Sequence, residues 1–196
     1  MPFTLMLEKE EERRNIIDIL KKAKQAIAKG DVLTLKNLSS RTVHSASIYK
    51  DPDSIAIAVV IYALSKILER EKYRSYKEWP ALFRVIEESI EKSIRALENK
   101  KIKEFREALS QIRKAVSSLS GHLRTYILEV FRKAQVNKAS RIYEHGISAS
   151  ETAKLLGITR FELAEYVGRT GIADVALSIT TPIKERIKFA RKLFEE

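Results

Sequence analysis

The sequence predicts an all-α protein. Three observations carry that expectation. Only six glycines and four prolines punctuate 196 residues, too few turn-formers for a chain of many short strands. Apolar residues recur mostly at three- and four-residue spacing, the period of one helix face. The punctuation that does occur falls where a helix would stop or start: Gly30, Asp51-Pro52, Pro80, Gly121 and Gly157.

The first helix is expected from about Thr4 to Lys29, with Ile16, Ile17, Leu20, Ala23 and Ile27 on one stripe. Gly30 ends it, and Asp31 can cap a second helix over about Val32 to Tyr49, which carries Leu35, Leu38, Val43 and Ile48. Asp51-Pro52 is a start signal, an N-cap followed by proline at the first helical position. The helix that follows, to about Arg70, contains IAIAVVIYAL and is apolar all round, so it belongs at the centre of a bundle. Pro80 opens a fourth helix to about Glu98, with Leu82, Val85, Ile86, Ile90, Ile94 and Leu97 inward. A fifth spans about Lys101 to Leu119, with Ile102, Phe105, Leu109, Ile112 and Val116 inward. The sixth, about His122 to His145, is long enough to serve two parts of the molecule, bundle residues Leu123, Ile127, Val130 and Ala134 being followed by Ile142 and Tyr143. After Gly171, an extended linker over Ala173 to Thr181 leads to a last helix begun at Thr181-Pro182.

Between the sixth helix and that linker lies the stretch SASETAKLLGITRFELAEYVG, Ser148 to Gly168. It reads as two short helices with a tight turn between them. Ser148 with Glu151, and Thr159 with Glu162, are each spaced as a capping box, in which a hydroxyl accepts from a free backbone N–H and the glutamate reaches back. Gly157 supplies the positive φ that ends the first helix, and Ile158 fills the corner. Ala153, one turn earlier, is small enough for the second helix to cross closely. Leu156, Ile158, Leu163 and Tyr166 are the apolar points such a pair must bury. This is the layout of a helix-turn-helix.

The segment from Lys138 to Ile172 resembles the helix-turn-helix of prokaryotic transcriptional regulators, and most closely that of small antitoxins of toxin–antitoxin pairs, whose motif likewise follows a basic helix ending in a Gly-Ile-Ser corner. The resemblance implies a DNA-binding, non-enzymatic protein. The expected organisation is then a helical bundle over residues 1–120 for dimerisation or partner binding, a linking helix over 121–145, and a helix-turn-helix with its trailing helix over 146–196. The helical half also faintly resembles nucleotidyltransferase-associated helical domains, some of them ribonucleases. Those carry Arg and His at a wider spacing than Arg41 to His44 or Arg141 to His145, which argues against nuclease activity here.

The composition agrees with a polyanion partner. A formal net charge of +11 and a pI near 9.7 favour nucleic acid. The longest apolar run, Ile55 to Leu64, is ten residues, against about 20 needed to cross a bilayer, so no membrane is expected. The absence of cysteine excludes a disulfide framework and thiolate metal sites and suits a cytoplasmic protein. The amino-terminal residues carry no basic-then-apolar secretion signal.

On the second helix of the motif, Thr159, Arg160, Phe161 and Ala164, with Arg169 at the far end, are the expected base-reading surface, Arg160 being suited to a guanine or a phosphate and Phe161 to a thymine methyl. The motif itself is neutral: Lys154, Arg160 and Arg169 face Glu151, Glu162 and Glu165. Phosphate contacts are therefore assigned to its flanks, Lys138 and Arg141 (beside Arg132 and Lys133) before it, and Lys184, Lys188 and Arg191 after it. Duplex DNA is the leading partner, with a possible homodimer presenting two motifs to half-sites about 34 Å apart or a multiple of that. Two other readings stand beside it: the neutral motif docks another protein, or the spread-out charge binds RNA or the ribosome. His44, His122 and His145 lack metal-ligand spacing, and no phosphate-cradling glycine loop or nucleophile elbow is present. No cofactor, metal or catalytic residue is expected.

Overall fold

The computed structural model describes residues 7, 9–49, 51–73, 75–119 and 121–170, with side chains 45 and 47–49 left aside. The expected linker and last helix, and with them Lys184, Lys188 and Arg191, lie outside the described residues. Within those residues the chain is all-α. Its helices are α1 (Glu10–Lys29), α2 (Val32–Tyr49), α3 (Pro52–Leu68), α4 (Trp79–Glu98), α5 (Ile102–Ser118), α6 (Gly121–Glu144), α7 (Ala149–Leu156) and α8 (Arg160–Thr170).

Local chemistry sets most of these boundaries. α1 begins at Glu10 rather than near Thr4, because Lys9 is extended and Glu10, Glu11 and Glu12 fill the first turn, where acidic side chains meet the positive end of the helix dipole. α1 ends at Gly30, whose φ of 67° lets the Gly30 and Asp31 amides donate to Ile27 and Ala26 carbonyls, the paired closure of a Schellman turn. Asp31 then caps α2 by accepting from the Thr34 amide at 3.0 Å. The Asp51 carboxylate accepts from both the amide (2.8 Å) and the hydroxyl (2.7 Å) of Ser54 at the start of α3, and Pro52 occupies the first helical position.

α3 is buried nearly all round and is the axis of the molecule, packed against α2, α6 and α7. α4 pairs with α5, and α1 lies across α2 and α4. α2 meets α3 along a seam that includes buried hydroxyls: the Ser39 hydroxyl donates to the Ala58 carbonyl of α3 at 2.7 Å, and the Thr42 hydroxyl donates to the Leu38 carbonyl within α2. Trp79 anchors the start of α4, its ring centroid 5.5 Å from that of Phe83.

The 24-residue α6, about 36 Å long at 1.5 Å per residue, contacts α3 and α5 and also carries α7 and α8. Ala153, Leu156, Ile158, Leu163 and Val167 belong to the same continuous apolar cluster as the residues around α3. Helices of 8 and 11 residues are too short to bury a core of their own, so they borrow one.

Candidate functional site

The α7–α8 pair is positioned by its own sequence. The Ser148 hydroxyl accepts from the Glu151 amide at 3.2 Å. At the turn, Gly157 has φ 63°, and the Ile158 amide donates to the Ala153 carbonyl at 3.0 Å. Thr159 and Glu162 complete a reciprocal capping box. The Glu162 amide donates to Thr159 Oγ1 at 3.1 Å, and the Thr159 amide donates to Glu162 Oε2 at 2.9 Å.

α6 then locks this turn in place. Arg132 Nε donates to Glu162 Oε1 at 2.9 Å, Nη2 donates to the same oxygen, and Nη1 donates to the Gly157 carbonyl at 3.2 Å. One guanidinium thus satisfies the end of α7 and the start of α8. The amide and hydroxyl of Thr159, followed by Arg132, hold the Glu162 carboxyl down at about 2. One turn along α6, Asn137 Nδ2 donates to the Tyr166 hydroxyl at 2.9 Å, which fixes the other end of α8.

These attachments decide which face of α8 is left outside. Leu163 and Val167 are buried and Tyr166 is half-buried, whereas Arg160, Phe161, Ala164, Glu165 and Arg169 are exposed. Phe161 is 77% exposed, an unusual position for a large aromatic ring. Arg160 makes no ion pair among the described residues; nor does Lys154 on α7, also exposed. Arg169 pairs with Glu165 at 2.8 Å, so the far end of this face is neutralised.

The flank before the motif differs from expectation. Lys138 is only 2% exposed and its ammonium lies 4.1 Å from the centroid of the Tyr62 ring on α3. It is not on the surface to meet a phosphate, because α6 turns this residue inward against α3. Burial, and secondarily the nearby Arg141, push its pKa down to about 8. Arg141 is exposed but paired with Glu144 at 2.9 Å. Lys133 is paired with Glu129 at 2.6 Å.

The structure also joins residues that sequence spacing kept apart. His44 of α2 and His145 after α6 meet edge to face, with ring centroids 5.2 Å apart. Among the described residues no group of three or more His, Cys, Asp or Glu could hold a metal ion. No helix there is long and apolar enough to cross a membrane. Compared with protein-family models, curated proteins and solved structures, the chain matches none.

Proposed function

We propose that the protein is a DNA-binding regulator of the kind its sequence resembles, an antitoxin or transcriptional regulator that uses α7 and α8 as a helix-turn-helix with α8 in the major groove. The observation that carries this reading is the outward face of α8. Its first turn presents Arg160 and Phe161 to solvent, unpaired and uncovered among the described residues, while the capping box and Arg132 hold that turn rigid from behind. A rigid base with an exposed arginine and aromatic at the helix amino terminus suits contact with base edges. Lys154, exposed on α7, suits a phosphate on the flanking strand. The charge of +11 supplies the non-specific attraction.

Binding to labelled duplex DNA across a salt titration tests the proposal. Affinity should fall steeply as salt rises, each lost phosphate contact reducing the slope by about one. Arg160→Ala should weaken discrimination between sites by about 1–3 kcal/mol, and Lys154→Ala should weaken all sites alike. Absence of binding at low salt ends the DNA reading.

A second reading, a protein-docking surface on α8, is favoured by one observation: Phe161 is the most exposed large apolar side chain on a face where Arg169 is already neutralised by Glu165. On that reading a second copy of the chain binds through α8. Phe161→Ala would then abolish self-association in sedimentation, and Arg160→Ala would spare it.

A further inference from the structure

α3, α5, α6 and α7 do not close on one another completely. Between them lies a cleft of about 550 Å³, within the size range of small-molecule sites. Its walls are apolar, built by Val59 on α3, Leu109 and Val116 on α5, Leu128 and Phe131 on α6, and Leu155 on α7. Leu128 is left 42% exposed there, which is apolar surface that a ligand would remove from water.

The charged groups of the cleft are mostly cationic, Arg106, Arg113 and Arg132 against the single carboxylate of Asp53, and Ser110 and Gln135 add neutral polar groups. Their commitments differ. Arg106 grips Asp53 through Nε and Nη2, at 3.0 and 2.7 Å, so that charge is answered within the wall. Arg132 is shared with Glu162 and Gly157. Arg113, exposed on α5, has no ion pair among the described residues. The cleft therefore carries an unanswered guanidinium beside an apolar trough.

We infer that this cleft is a binding site for an amphipathic carboxylate, a single anionic head on an elongated apolar body. The head is received by Arg113, since a guanidinium pairs with a carboxylate through two parallel N–H donors. The body lies along Val59, Leu109, Val116, Phe131 and Leu155, where its removal from water supplies most of the affinity. A neutral or cationic amphiphile of the same length lacks the Arg113 interaction, and a small hydrophilic anion lacks the apolar one.

The test needs no DNA, so its failure is separate from a failure of the regulator reading. Full-length protein is loaded with anilinonaphthalene sulfonate, a fluorescent anionic amphiphile, and the dye is displaced with dodecanoate, dodecanol or dodecyltrimethylammonium. Dodecanoate should displace it at concentrations at which the other two do not. Arg113→Gln, a change at an exposed side chain, should weaken dodecanoate by about tenfold or more while the melting curve stays unchanged. Ala56→Trp, which fills the cleft from α3, should remove dye and dodecanoate binding together in a chain whose far-ultraviolet circular dichroism is native. Equal displacement by dodecanol, no displacement at all, or full dodecanoate affinity in Arg113→Gln would each overturn the assignment.

Discussion

Arg132 on α6 and Glu162 in the first turn of α8 are thirty positions apart in sequence and share two hydrogen bonds, one of them Nε to Oε1 at 2.9 Å. The other oxygen of Glu162 accepts from the Thr159 amide at 2.9 Å. A single carboxylate therefore ends its own helix cap and ties the α7–α8 turn to the body of the protein. This link has a pH signature. The Glu162 carboxyl sits at about 2 in the folded chain against an ordinary 4.5. A depressed carboxyl stabilises the fold fully above its ordinary pKa and loses that contribution as pH falls towards the folded value. Glu162→Gln should melt below the natural chain at neutral pH, and the gap should close between pH 4.5 and about 2. A gap that stays constant over that interval would show that the carboxylate charge contributes nothing.

Lys138 gives a signature of opposite sign. Its pKa is about 8 in the fold and 10.5 when exposed, so between those values the unfolded chain binds the extra proton and stability rises with pH. Below pH 8 the fold carries a buried cation answered by the Tyr62 ring at 4.1 Å. Lys138→Met removes the desolvation penalty, up to about 3 kcal/mol for a pKa lowered from 10.5 to about 8. It also removes the ring attraction, about 1–2 kcal/mol. The variant should therefore match or exceed the natural chain at pH 7 in urea denaturation. It should lose ground to it steadily from pH 8 to 10.5.

Gly157 tests the turn itself. Its φ is 63°, and a Cβ added there would meet nothing within 4 Å. Gly157→Ala therefore costs backbone strain without a clash, about 1–2 kcal/mol. Gly157→Asn should cost less, because asparagine tolerates the left-handed region. Thermal melting of the two variants distinguishes strain from steric conflict: an alanine variant as stable as the natural chain would mean that the turn relaxes into another conformation.

Two phenylalanines should behave in opposite ways. Phe105 on α5 is fully buried, and Phe105→Ala should destabilise by about 3–5 kcal/mol through the cavity left behind. Phe161 is 77% exposed, and Phe161→Ala should stay within about 0.5 kcal/mol of the natural chain. A Phe161→Ala variant that is strongly destabilised in denaturant would show that the ring is covered in solution, and would remove the main support for α8 as a recognition surface.

Most of the helical framework was legible in the chain because its signals are local. Asp51-Pro52, Gly30 and the Thr159–Glu162 spacing each act within one turn of backbone, and each boundary falls where those residues put it. The buried stripes of α4 and α5 follow from period alone, and the central place of α3 from its being apolar all round. The candidate site was less legible. Lys138 reads as a surface base in a basic helix, and nothing nearby in sequence reveals that Tyr62 and α3 cover it. Arg132 and Arg141 read as equivalent flanking charges. Yet Arg132 holds Glu162 and the Gly157 carbonyl, and Arg141 pairs, among the described residues, with its neighbour Glu144 alone.

The sequence by itself determined that the described chain is helical, where the helices bounded by Gly30, Asp51-Pro52 and Thr159–Glu162 end or begin, and that a capped pair with a glycine corner follows α6. Caps, proline and apolar period are interactions between residues a few positions apart, and they exist before any tertiary contact forms. The tertiary structure decided which basic side chains are free, which are paired and which are buried. It also decided that Phe161 faces outward and that a cationic, apolar cleft lies beneath α7. Those outcomes depend on which residues of distant helices meet, and on the desolvation and pairing of charge that follow from it.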